Sequence, residues 1–241
     1  YAEAKHLLGL VCSQQERHQE GVNWLLQAIQ KQPAHPPYYN NLGLIYAKMS
    51  DWKNATNACR AATRLAPTFA EAWFNLANFV KAQSKTDEAI RYYKKTIKLT
   101  PNHARAMYNL GNTLLENGKP KSARIWFEKA VEIRPDYAEA HNNLGSALDA
   151  WSEYNKALHH YEKAVELKPE FIDALKNLGN AYLKAGFHEK GYHFIQQFVS
   201  KKYNDGWNDL LLASLSPIVF ESKAQIETYQ QKLIKILQQY L

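Results

Sequence analysis

Cysteine is almost missing from this chain: Cys12 and Cys59 are the only two in 241 residues. They have neither the paired spacing of a metal site nor the density of a secreted disulfide framework, so a reducing, cytoplasmic setting is the expectation. No apolar run approaches the roughly 18 residues that a membrane span needs, and the N-terminus has no basic-then-apolar signal pattern. Gly-rich phosphate loops, a G-x-S-x-G elbow and an H-E-x-x-H pair are all lacking. Among the nine histidines, His159 and His160 are adjacent and so point differently on a helix, while His188 and His193 miss the i, i+4 spacing of a helical metal pair. These absences predict no catalytic residue, no metal and no cofactor. A start at Tyr1 suggests a fragment or a processed product.

What is present is an ordinary globular composition, 46% hydrophobic and 22% charged, enough to bury a core. The formal charge of +7 fits nucleic acid, an acidic partner or plain solubility until its placement is known. The strongest signal is a period. Pro33, Pro67, Pro101, Pro135 and Pro169 stand 34 residues apart, and so do Asn41, Asn75, Asn109, Asn143 and Asn177. Each of these asparagines precedes a leucine, and all but Asn75 then have glycine. A fixed period of this length means stacked supersecondary units.

The residues in register with the period are Leu42, Gly43, Tyr46, Ala55 and Pro67, then Leu110, Gly111, Ala123, Phe127, Ala130 and Pro135, then Leu144, Gly145, Ala157, Tyr161, Ala164 and Pro169. This pattern resembles the tetratricopeptide repeat. The resemblance implies an all-α protein, a right-handed α-solenoid of six helix pairs over 2–203, with units 2–35, 36–69, 70–103, 104–137, 138–171 and 172–203. The end units are the weakest, with Cys12 and Gly21 at consensus positions of the first and Gly191 and Tyr203 at those of the last. Residues 204–241 are expected to form a helical cap or the start of a following domain. There, Trp207–Leu215 reads as a short helix, Ser216-Pro217 breaks it, and a capping box at Ser222 and Gln225 opens a last helix.

Within one unit the period of apolar residues is helical. Met107, Leu110, Gly111 and Leu114 recur on one face, Asn117-Gly118-Lys119-Pro120 breaks the helix, and Ala123, Phe127, Ala130 and Val131 continue on a second. Pro36, Pro37 and Pro120 suit a first helical turn. Gly111 and Ala123 are small where two helices cross, since a larger side chain would overpack the crossing. Cys12 and Cys59 fall at packing positions, as do Trp73, Trp126, Phe127 and Tyr161.

A second stripe runs along each first helix. It comprises Glu71, Phe74, Asn75, Asn78 and Lys81 in the third unit, and Arg105, Tyr108, Asn109, Asn112 and Glu116 in the fourth. In the fifth it holds Glu139, Asn142, Asn143, Ser146 and Asp149; in the sixth, Asp173, Lys176, Asn177, Asn180 and Lys184. First helices line the concave face of such solenoids, where partners bind. Asparagine costs a helix interior up to about 0.7 kcal/mol relative to alanine, so five at one register need a reason. One reading is a carboxamide row that engages the backbone of an extended protein or peptide segment, with Phe74, Tyr108 and the charged neighbours adding selectivity. The other is a set of polar residues that hydrogen-bond between helices. First-helix segments carry six Lys/Arg and six Asp/Glu, so the basic excess lies elsewhere, on solvated outer faces such as Lys94–Lys98 and Lys119–Arg124. Neither nucleic acid nor membrane is an expected partner.

Members of the tetratricopeptide family are protein-interaction scaffolds, so the resemblance implies a partner protein or peptide; oligomerisation through the end units is a further option. One subgroup binds chaperone C-termini through Lys and Asn side chains, and Lys176 and Asn180 resemble its opening pair. A narrower similarity is to the arm of bacterial O-linked N-acetylglucosamine transferase-like proteins, in which an inner asparagine row resembles Asn41 to Asn177. Leu215-Ser216-Pro217-Ile218-Val219-Phe220-Glu221-Ser222 is similar to the segment that leads into their catalytic domain. That similarity implies a substrate-selecting arm whose catalytic half is absent from these residues.

Overall fold

The computed structural model describes residues 1–202 and Gln231. The expected cap over 204–241, Tyr203 and the segment 215–222 lie outside the described residues apart from that single position. Among the described residues the secondary structure is entirely helical, in twelve elements paired in chain order. First helices are α1 (Ala2–Gln14), α3 (Pro36–Lys48), α5 (Ala70–Ala82), α7 (Ala104–Glu116), α9 (Ala138–Asp149) and α11 (Ile172–Lys184). Second helices are α2 (His18–Lys31), α4 (Trp52–Leu65), α6 (Thr86–Leu99), α8 (Pro120–Ile133), α10 (Tyr154–Leu167) and α12 (His188–Lys202). The α-solenoid organisation is thus present as a succession of helix pairs.

Local chemistry sets the helix ends. Pro36 and Pro120 open α3 and α8 in the first turn, where a missing N–H costs nothing. Asp51 caps α4 by accepting from the Asn54 N–H at 3.1 Å, and the His103 ring nitrogen Nδ1 caps α7 by accepting from the Ala106 N–H at 3.1 Å. Every turn inside a pair places one residue in the left-handed region: Glu16, Ser50, Ser84, Gly118, Ser152 and Gly186, with φ between 58° and 81°. Such a residue lets the helix C-terminus reverse into its partner, and only glycine adopts it without steric cost.

The chain divides into two compact units, Tyr1–Arg134 and Pro135 onward. In the first, α1–α8 form four pairs, and α2, α4 and α6 each pack on the first helix of the next pair. In the second, α10 packs on α11 in the same way. Leu42, Leu76 and Leu110 in the first unit and Leu144 and Leu178 in the second are buried at one register. The core therefore consists of the surface between consecutive helices, and no pair closes it alone.

Close approach inside a pair is set by glycine against a large neighbour. A Cβ added at Gly111 would stand 2.5 Å from the Phe127 ring, and one at Gly145 would stand 2.7 Å from the Tyr161 ring. The small residue at Gly111 thus makes room for Phe127 rather than for the backbone at Ala123. At the weaker end pairs glycine faces glycine: a Cβ on Gly21 would lie 2.8 Å from the Gly9 carbonyl, and one on Gly191 would lie 3.0 Å from that of Gly179. There the two helices meet almost backbone to backbone.

Candidate functional site

The asparagine row is built by helical geometry: residues i, i+3, i+4 and i+7 share one face. In the first unit that face carries Asn41 on α3, Asn75 and Asn78 on α5, and Asn109 and Asn112 on α7. In the second it carries Asn142 and Asn143 on α9 and Asn177 and Asn180 on α11. Asn75 and Asn142 are buried, Asn180 is exposed and the rest are half-buried.

The amide nitrogens of Asn41, Asn75, Asn109 and Asn177 are bonded to the preceding first helix. Asn41 Nδ2 donates to His6 Nε2 at 2.8 Å, Asn75 Nδ2 to Asn40 Oδ1 at 3.0 Å, and Asn109 Nδ2 to Asn78 Oδ1 at 2.9 Å. In the second unit Asn177 Nδ2 donates to Asn142 Oδ1 at 2.9 Å. The reading in which asparagines hydrogen-bond between helices therefore describes their amide groups. Asn142 in turn donates to Asn143 Oδ1 at 3.2 Å. The carboxamide row thus joins consecutive repeats within each unit.

The acceptors are themselves organised. His6 Nδ1–H faces Glu3 Oε1 at 3.2 Å, which leaves Nε2 to accept from Asn41. Hydrogen bonds from His6 and from Tyr38 hold the Glu3 carboxyl below the usual carboxylate range, against a smaller opposing effect of burial. Asn78 Oδ1 accepts from the Tyr93 hydroxyl at 2.7 Å as well as from Asn109, and burial pushes that phenol well above its ordinary range. Asn40 Oδ1 also meets Cys59 Sγ at 3.8 Å, and burial pushes the Cys59 thiol up to about 12, so it is an inert packing group.

The two aromatic residues expected to add selectivity are placed differently. Tyr108 is half-buried, its ring 6.0 Å from Phe127. Phe74 is only 1% exposed, and its ring is covered by His103 at 4.7 Å and by the Arg105 guanidinium at 5.1 Å. Phe74 accordingly forms a floor, and the group presented above it is Arg105. Two ion pairs, Lys81 with Glu116 at 2.9 Å and Lys184 with Asp149 at 2.7 Å, link neighbouring first helices near their C-terminal ends.

One device escapes a search by residue type. Tyr39 Oη, Trp73 Nε1 and His141 Nε2 each donate to the carbonyl of a periodic proline six residues earlier: Pro33 at 2.9 Å, Pro67 at 2.9 Å and Pro135 at 3.1 Å. Three dissimilar side chains share one task because each ends in a donor at the same reach. For His141 this fixes the tautomer, leaving Nδ1 to accept from the His160 Nδ1–H at 3.0 Å. Burial, aided by the nearby charges of His159 and Lys163, holds the His141 pKa below its ordinary 6.5; the Pro135 carbonyl opposes the shift.

Among the described residues no group of three or more His, Cys, Asp or Glu side chains is placed to hold a metal. No helix there is long and apolar enough to cross a membrane.

Family models described as tetratricopeptide repeat match residues 36–69, 68–136 and 138–171. No curated protein sequence matches. Among solved structures, MamA from Desulfovibrio magneticus RS-1 is 23% identical with a TM-score of 0.63, covering 70% of this chain and 96% of its own. YrrB, described as a tetratricopeptide protein with an unusual peptide-binding site, is 21% identical with a TM-score of 0.64, covering 79% and 98%. PilF of Pseudomonas aeruginosa is 19% identical with a TM-score of 0.66, covering 83% and 91%. At these identities the likeness is one of fold.

Proposed function

Since the chain belongs to the tetratricopeptide-repeat family, its repeats matched over 36–136 and 138–171, we propose that it is a non-catalytic protein-interaction scaffold whose first helices receive an extended polypeptide segment. The observation that carries the reading is the state of the row. With Nδ2 of Asn41, Asn109 and Asn177 held by the preceding repeat, the carbonyl of each of these half-buried asparagines is fixed in direction before any ligand arrives. Preorganised acceptors lose little entropy on binding. Neighbouring helices pack about 8–10 Å apart and an extended chain advances about 3.3–3.6 Å per residue, so consecutive asparagines would meet about every third backbone N–H. Backbone recognition tolerates many sequences, and the peptide-binding site of YrrB supports a segment of this kind as the ligand class.

The test uses the full chain and a library of end-capped decapeptides, with selected binders titrated by fluorescence polarisation. Asn41→Ala and Asn109→Ala, both in the first unit, each remove one acceptor and are expected to weaken binding about five- to tenfold. Unchanged affinity in both variants, with helical circular dichroism intact, overturns the row as a contact surface. The segment 215–222 supports a second reading, the substrate-selecting arm of an O-linked N-acetylglucosamine transferase-like protein. Reading the gene past Leu241 tests it: an open frame into a nucleotide-sugar-binding domain supports it, and a stop codon there sinks it.

A further inference from the structure

We propose that Arg105 gives this surface a preference for acidic segments, by binding the carboxylate of an Asp or Glu side chain in the extended ligand. The inference rests on the first-helix reading above and adds a chemical class to it. Arg105 lies one helical turn before Asn109 on the same face of α7, about 6 Å along the axis. Its guanidinium carbon lies over the Phe74 ring at 5.1 Å from the centroid, within cation–π range.

The other charges on the same two helices are already committed. Lys81 is paired with Glu116, and Glu71 faces His103 Nε2 at 3.7 Å. Glu71 is the acid nearest in effect to Arg105, but the His103 hydrogen bond is the first cause of its lowered pKa and the charge of Arg105 only the last. Among the described residues no acceptor meets the N–H groups of Arg105. An exposed arginine usually sweeps a large volume; this one is held by Phe74, itself packed against His103 at 4.7 Å. A guanidinium held over an aromatic ring, with no acceptor of its own, is suited to a bidentate carboxylate. With about 6 Å between the two positions along α7, a carboxylate on Arg105 is within side-chain reach of a backbone whose N–H meets Asn109.

The same decapeptide library provides the test, because its end caps remove the terminal carboxylate as a competitor. Binders should be enriched in Asp or Glu at one position. Changing that residue to Asn or Gln should weaken binding about tenfold or more, the worth of a charge-assisted bidentate contact. In Arg105→Gln that difference should fall below about twofold, while Arg105→Lys, a point charge without the fork, should keep only part of it. Binders without acidic preference, or a preference that persists in Arg105→Gln, overturn the proposal. An uncapped peptide arm separates a terminal carboxylate: binding that appears only there also overturns it. If Asn109→Ala abolishes binding but no acidic preference exists, the row stands and the Arg105 proposal fails. If Arg105 discriminates while Asn41→Ala and Asn109→Ala have no effect, the row fails and Arg105 stands. If no capped peptide binds, both fail.

Discussion

A single carboxamide in this chain does different work depending on its burial. Asn75 is 4% exposed and donates to a buried Asn40 whose other neighbour is only a thiol at 3.8 Å. Asn75→Ala would strand that acceptor, so a loss of about 1–3 kcal/mol is expected in urea unfolding. Asn109 is half-buried, and Asn78 would keep its bond from Tyr93, so Asn109→Ala should cost only about 0.5–1.5 kcal/mol. Equal losses would contradict the distinction. His141 yields a pH prediction. Its folded pKa lies below the ordinary 6.5, so the unfolded chain takes up the proton first. Stability should therefore fall as pH drops below about 6.5 and level off beneath the folded pKa. His141→Gln keeps a donor for Pro135 and should flatten this slope in melts between pH 5 and 8. The row was legible as a periodic oddity from Asn41 to Asn177, but the sequence left two roles open. Which atom of each carboxamide is already bonded depends on neighbours 31 or 35 residues away, and only packing brings those into reach.

At the scale of the helix pair, two kinds of glycine separate cleanly. Gly118 has φ +67° with nothing within 4 Å of an added Cβ, so Gly118→Ala tests backbone conformation alone and should cost about 1–2 kcal/mol. Gly111→Ala instead drives a methyl to 2.5 Å from the Phe127 ring and should cost about 1–3 kcal/mol through overpacking. Adding Phe127→Leu should recover part of the second loss and none of the first. Ser84 occupies the same turn position at φ 60° without the freedom of glycine, so Ser84→Gly should raise stability by roughly 1 kcal/mol in thermal melts. The Gly118 turn was readable because Asn117-Gly118-Lys119-Pro120 spells a break. The equivalent turns at Ser50, Ser84 and Ser152 carry no such signal: a serine can be forced into the left-handed region by the two helices it joins.

For the molecule as a whole, stability accrues along the stack, because each helix pair buries its apolar stripe only against a neighbour. The unit Tyr1–Arg134 holds four pairs, above the roughly three repeats that independent stability requires, whereas the described part of the second holds two. Residues 1–134 expressed alone should therefore melt cooperatively with helical circular dichroism, and residues 135–202 alone should not. A cooperative melt of 135–202 would show that two pairs suffice here. By itself the sequence determined the helix-pair architecture, because a 34-residue period of prolines, small residues and leucines has few other ways to bury its stripes. It also determined which residues share a face, since that follows from 3.6 residues per turn. The tertiary structure alone decided that Phe74 is a floor and Arg105 the group above it. It also decided that the amides of Asn41, Asn75, Asn109 and Asn177 are spent between repeats, and that Tyr39, Trp73 and His141 serve one purpose. Each of those depends on side chains from two helices meeting at a distance and an angle, and periodicity along one chain does not encode that meeting.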